Sequence, residues 1–133
     1  MIVLDTDALS NLMRPRPSPT LVARLAEIPA AEQGTTAITI GELAYGAHRV
    51  DRPELYARAV QLVSAARILP FDREAAEHYG RIRSDLEHRG TRLADPDLRI
   101  AATVITQGAT LITGNARHFQ RIPDLRIEDW LHN

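Results

Sequence analysis

The chain has no cysteine among its 133 residues. Disulfides, thiolate nucleophiles and cysteine-type zinc sites are therefore excluded, and any metal must be held by oxygen or by the five histidines. Lysine is absent too, so all 16 basic residues are arginine. These are scattered along the chain, and the formal net charge is -1, which excludes a protein that grips nucleic acid through bulk positive charge alone. Long hydrophobic runs are missing: the opening Met-Ile-Val-Leu-Asp is acidic by its fifth position and has no basic segment. Neither a signal peptide nor a membrane span is expected, and a cytoplasmic location fits best.

What is present suits one folded unit. Apolar residues make up 44% and charged residues 25%, near the average for globular proteins, and the length suits a single domain over 1–133 with a sizeable core. Short apolar runs at Ile2–Leu4, Thr35–Ile38, Ile68–Phe71, Thr110–Thr113 and Leu125–Glu128 read as strands. Between them lie helical patterns with recognisable starts and stops. Asp7 reads as an N-cap, Ser18-Pro19 as cap and first residue, and Thr39 as a cap with Glu42 three residues on. Asp51 and Pro53 open a further helix, and Asp72 opens a long one stopping near Gly90. Asp95-Pro96 opens the last long helix, which Gly108 ends. Strands alternating with helices predict an α/β fold, a mainly parallel five-stranded sheet with helices on both faces.

In such sheets ligands sit beyond the carboxyl ends of the strands, near the point where strand order reverses. Asp5 closes the first strand, Glu42 lies in the first helical turn after the second, and Asn115 follows the fourth. Asp97 opens the helix that runs back into the fourth strand, so all four are expected at one edge. Crowded carboxylates repel unless a cation lies between them, and magnesium or manganese is the natural occupant. A hard cation among carboxylates, holding water and a phosphate oxygen, implies phosphodiester hydrolysis.

Each residue also has a plain reading. Asp5 can end a strand in a turn, Glu42 can complete a capping box with Thr39, and Asn115 can be a turn residue after Gly114. Asp95-Pro96-Asp97 is a good helix start in which position alone does not choose the acid that meets metal. His78, His88, His118 and Trp130 show no metal-ligand spacing and are given no chemistry. Arg99, Arg117 and Arg121 lie near the expected edge, where they can contact RNA backbone or simply be solvated.

Four segments, Ile2-Val-Leu-Asp-Thr-Asp-Ala-Leu, Thr39-Ile-Gly-Glu-Leu-Ala-Tyr-Gly, Asp97-Leu-Arg-Ile-Ala-Ala and Leu111-Ile-Thr-Gly-Asn-Ala-Arg-His-Phe, resemble in order and spacing the PIN-domain family. Together with the closing Ile127-Glu-Asp-Trp they look most like its VapC-type toxins of bacterial toxin-antitoxin pairs. The resemblance implies a three-layer α/β/α PIN-like domain and a magnesium-dependent endoribonuclease, with manganese as a possible substitute. It makes Asp5, Glu42 and Asp97 the metal-binding triad. A fourth family position, commonly aspartate, falls on Asn115, so the pattern departs there. Thr6 and Thr113 occupy places where the family has a small hydroxyl near the metal ligands, and Asp95 is an extra acid nearby. The implied partners are an RNA substrate such as transfer or ribosomal RNA, a cognate VapB-type antitoxin whose tail blocks the acidic groove, and a second copy in a homodimer.

Other readings share the first strand and its Asp5-x-Asp7. A haloacid-dehalogenase-like phosphatase and a receiver-type phosphorylation switch both rely on a lysine that this chain lacks. A non-catalytic RNA-binding or interaction domain is the third alternative, kept open by Asn115.

Overall fold

In this computed structural model residues 1–132 are described. The strands are β1 (Ile2–Leu4), β2 (Gln33–Thr36), β3 (Arg67–Leu69), β4 (Thr110–Ile112) and β5 (Arg126–Glu128). The helices are α1 (Thr6–Leu12), α2 (Pro19–Ala26), α3 (Ala37–Arg49), α4 (Pro53–Leu62), α5 (Arg73–His88), α6 (Asp95–Thr106) and α7 (Ala116–Phe119). One five-stranded sheet has the order β3-β2-β1-β4-β5. Every adjacent pair is parallel. From β1 the chain builds outward through β2 to β3, then crosses back to β4 on the other flank of β1. Strand order therefore reverses between β1 and β4, which puts the switch point beside the residue that follows β1.

Alternation along the strands makes three layers. Val3 and Leu111 face one side, where they join Ile82 and Leu86 of α5, Leu98, Ile100 and Val104 of α6, and Phe119 of α7. Leu4 and Ile112 face the other, with Leu9 of α1, Leu21 of α2 and the indole of Trp130. Both faces of the central strands are thus dry, as an all-parallel sheet requires. The edge strand β3 is the exception. The apolar run Ile68–Phe71 suggests a fully buried strand, yet Ile68 is 45% exposed, because among the described residues no strand lies beyond β3 and only Leu69 of β3 is buried.

Helix boundaries differ from the expected ones by a few residues, and each difference has a local cause. Asp5, not Asp7, caps α1: its carboxylate accepts from the Ala8 N–H at 2.9 Å. Strand β2 ends at Thr36, whose hydroxyl accepts from the Thr39 N–H at 3.0 Å and so caps α3 three residues before the expected cap. The capping box between Thr39 and Glu42 does not form. Ala94 takes the cap position of α6, which makes Asp95 its first residue and moves Pro96 to the second. Ser18, Asp72, Gly90 and Gly108 act as expected, the two glycines with φ of 70° and 61°. Among the described residues no helix is long and apolar enough to cross a membrane.

The capping register has a measurable consequence. Thr36→Val is expected to lower stability in urea unfolding by about 1–2 kcal/mol, the usual loss for a cap. Glu42→Ala is expected to stay within about 0.5 kcal/mol of the native chain, since no backbone N–H depends on it. The reverse order would restore the Thr39–Glu42 capping box.

Candidate active site

Beyond the last paired residues of β1 and β4, the chain leaves Asp5 and Thr113 side by side. Leu4 pairs with Ile112, and the Asp5 N–H donates to the Ile112 carbonyl at 3.2 Å, which extends the ladder by one step. Asp5 is 4% exposed, an unusual degree of burial for a carboxylate. Burial is the main reason its pKa is pushed up to about 6. Hydrogen bonds from the Thr113 hydroxyl and the Ala8 N–H oppose that rise, while the charges of Asp7 and Asp97 add to it. The Asp97 contribution is the smallest of these, and it comes from a carboxylate on α6.

Asp97 stands in the first turn of α6, where the helix dipole favours an anion. Its Oδ2 lies 3.0 Å from His118 Nε2 on α7, and both side chains are partly buried. Glu42, on the second turn of α3, accepts a hydrogen bond of 2.6 Å from the Thr6 hydroxyl at the start of α1. Thr6 follows Asp5 directly, so α1 ties Glu42 to the same corner of the sheet. Asn115 occupies the cap position of α7, makes no side-chain capping bond, and donates its N–H to the Thr113 hydroxyl at 2.9 Å. It is exposed at the mouth of the edge.

Asp95 goes elsewhere. It bonds the Tyr79 hydroxyl, and its other oxygen takes the Arg99 Nε at 2.6 Å. These two partners, Tyr79 first, hold its carboxyl below the ordinary carboxylate range. Arg99 also lies over the rings of Phe71 and Tyr79, at 5.2 and 5.1 Å from their centroids. The expected role of Arg99 on RNA backbone is thus met by a competing set of partners inside the chain. Arg117 and Arg121 remain exposed.

Residues 2–125 match the family model of the PIN domain. A tRNA(fMet)-specific endonuclease VapC of Salmonella typhimurium is 40% identical over 96 residues, 71% of this chain and 73% of its own. Ribonuclease VapC2 of Haemophilus influenzae is 31% identical over 130 residues, 97% of each chain. The chain belongs to the PIN-domain family, among its VapC ribonucleases. The fold agrees throughout: the toxin-antitoxin assembly VapBC2 from Rickettsia felis, bound to a DNA fragment from its promoter, contains a chain that superposes with a TM-score of 0.88 at 28% identity. That superposition covers 98% of this chain and 99% of the other. VapC nucleases are generally metal-dependent, and the donor set here is compatible with that chemistry.

No three acidic or imidazole side chains among the described residues are grouped closely enough to hold an ion between them. A cation that keeps much of its hydration needs only one or two direct carboxylates. Asp5 and Asp97 are the acids that could meet that need: Asp5 is a buried carboxylate at the end of β1, and the charge of Asp97 acts on it. His118 is the residue that sequence reasoning set aside. It showed no metal-ligand spacing, and its only local signal was its place one helical turn past Asn115, inside the segment that resembles the family.

The raised pKa of Asp5 has a sign. An acid that titrates higher in the folded chain than in the unfolded one stabilises the fold below pH 3.8, and that contribution is lost as pH rises through about 6. In metal-free protein, Asp5→Asn, which keeps the capping carbonyl, is therefore expected to exceed the native stability at pH 8 by up to about 3 kcal/mol. The difference should fade below about pH 4 in urea unfolding with chelator present. An equal effect at both pH values would contradict the burial argument.

Proposed function

We propose that this VapC ribonuclease cleaves RNA phosphodiester bonds with magnesium held at the β1–β4 edge, and that it acts as the toxin of a toxin-antitoxin pair. The observation that carries the site assignment is the buried carboxylate of Asp5 at the switch point, under the field of Asp97. Such a pairing of like charges in a partly dry corner is relieved by a divalent cation.

In this reading Asp5, Asp97 and Glu42 would hold the ion, directly or through water. When bound, the ion supplies charge against the developing negative charge on phosphoryl oxygens and acidifies water in its shell. The chain's own residues prepare the place. The Ala8 N–H and the Thr113 hydroxyl orient Asp5, and the Thr6 hydroxyl orients Glu42. Asn115 offers an uncharged amide where related proteins commonly have a fourth acid, which reduces the negative charge facing the phosphate. Arg117, exposed on α7, is available for the RNA backbone.

The substrate we propose is transfer or ribosomal RNA, and the relative named as tRNA(fMet)-specific favours the former. The proposed partners are a VapB-type antitoxin and a second copy of the chain. An arginine from the antitoxin inserted among Asp5, Glu42 and Asp97 would substitute for the cation and block cleavage.

Mapping of 5′ ends in total RNA after induction is expected to reveal new, discrete ends with the native chain. Asp5→Ala and Asp97→Asn should reduce them by about 100-fold or more, and chelator should abolish cleavage by the purified protein. Full cleavage by either variant would overturn the site assignment. Binding of RNA without any cleavage would favour a non-catalytic domain.

A further inference from the structure

Two of the three acids receive a side-chain hydrogen bond from another helix. Glu42 is bonded by Thr6. Asp97 is bonded by His118, 21 positions away in the chain, with Nε2 and Oδ2 3.0 Å apart. We infer that His118 is a positioning residue for Asp97: through its Nε2–H it fixes one carboxylate oxygen and turns the other toward the cation site. This rests on the reading of Asp97 as a metal-binding residue.

The geometry favours a built contact over a chance surface pair. An ionised carboxylate only accepts, so His118 supplies the proton from Nε2. The two side chains are 27% and 29% exposed, shielded from water more than the ion pairs along α5 and α6. His118 is also held on its far side. Its ring meets Phe119 edge-on, with centroids 5.7 Å apart and planes at 84°, and Phe119 is a buried member of the core. The Asn115 carbonyl accepts from the N–H groups of His118 and Phe119, at 3.1 and 3.4 Å. Short as it is, α7 is thus pinned to the core by Phe119 and presents His118 to the start of α6. Asp97 has no other hydrogen bond to a described residue, so without His118 its carboxylate would rotate freely. Residues that orient metal ligands in this way contribute to affinity without touching the ion.

Manganese binding to the full chain, measured by calorimetry for the native protein, His118→Ala, His118→Gln and Asp97→Asn, tests the inference. The amide N–H of glutamine reaches about as far as Nε2–H and can donate to the same oxygen. His118→Ala is expected to weaken Mn²⁺ affinity about 10-fold or more. His118→Gln should recover most of that loss, and the metal-free melting temperatures of both should stay near the native value. In RNA cleavage the alanine variant should lose kcat with KM little changed. Native affinity in His118→Ala beside weakened binding in Asp97→Asn would overturn the role of His118 alone. Native affinity in Asp97→Asn as well would overturn the reading of Asp97 on which it rests. Equal losses in the alanine and glutamine variants would make the ring a packing element and not a hydrogen-bond donor.

Discussion

A carboxylate buried at the carboxyl end of the central strand is the constraint around which this fold is arranged. Asp5 could sit in water at little cost; instead it lies at the end of β1 with almost no exposure, its carboxylate capping α1 and its N–H bonded to β4. Burial opposes its ionisation, and the neighbouring charge of Asp97 opposes it further. A position that is electrostatically poor for the empty protein is good for one that carries a divalent cation. The parallel sheet makes this possible, because strand order reverses between β1 and β4 and leaves Asp5 at the switch point, where such sheets hold their ligands.

The remaining polar residues divide according to whether they serve that edge or offset one another. Asp95 and Asp97 are two residues apart on the same helix, yet their surroundings are opposite. Asp95 is neutralised by Arg99 and bonded by Tyr79, which fastens α6 to α5. Among the described residues Asp97 meets an imidazole and no arginine, and its charge acts on Asp5. Among the described residues Glu42 likewise pairs with no arginine and is held by a hydroxyl instead. Hydroxyl donors orient a carboxylate without cancelling its charge, as residues that hold metal ligands in place commonly do.

Much of this was legible in the residues, for identifiable reasons. Apolar runs interrupted by Ser18-Pro19, Asp72, Gly90 and Gly108 marked the alternation of strands and helices, because those signals depend on backbone geometry that few other residues satisfy. Asp5 was legible for the same reason: it directly follows an apolar strand. The register of caps was less so. Asp5 and Asp7, or Thr36 and Thr39, are equally able to accept from a helix N-terminus, and only the strand pairing that ends at Leu4 and Thr35 decides between them. Glu42 therefore carried a plausible capping role that the fold does not use. His118 was hidden because its partner lies 21 positions away, a contact that no local pattern encodes. The exposure of Ile68 was hidden likewise, since a strand's apolarity does not reveal that it will lie at the edge of the sheet.

The central claim is that the acids converge on a divalent cation, and anomalous diffraction from crystals of the full chain soaked in manganese tests it most directly. The account predicts a single strong anomalous peak at the carboxyl edge of β1 and β4, between the carboxylates of Asp5 and Asp97. A peak at another place, or none at this edge at a manganese concentration that supports RNA cleavage, would contradict it.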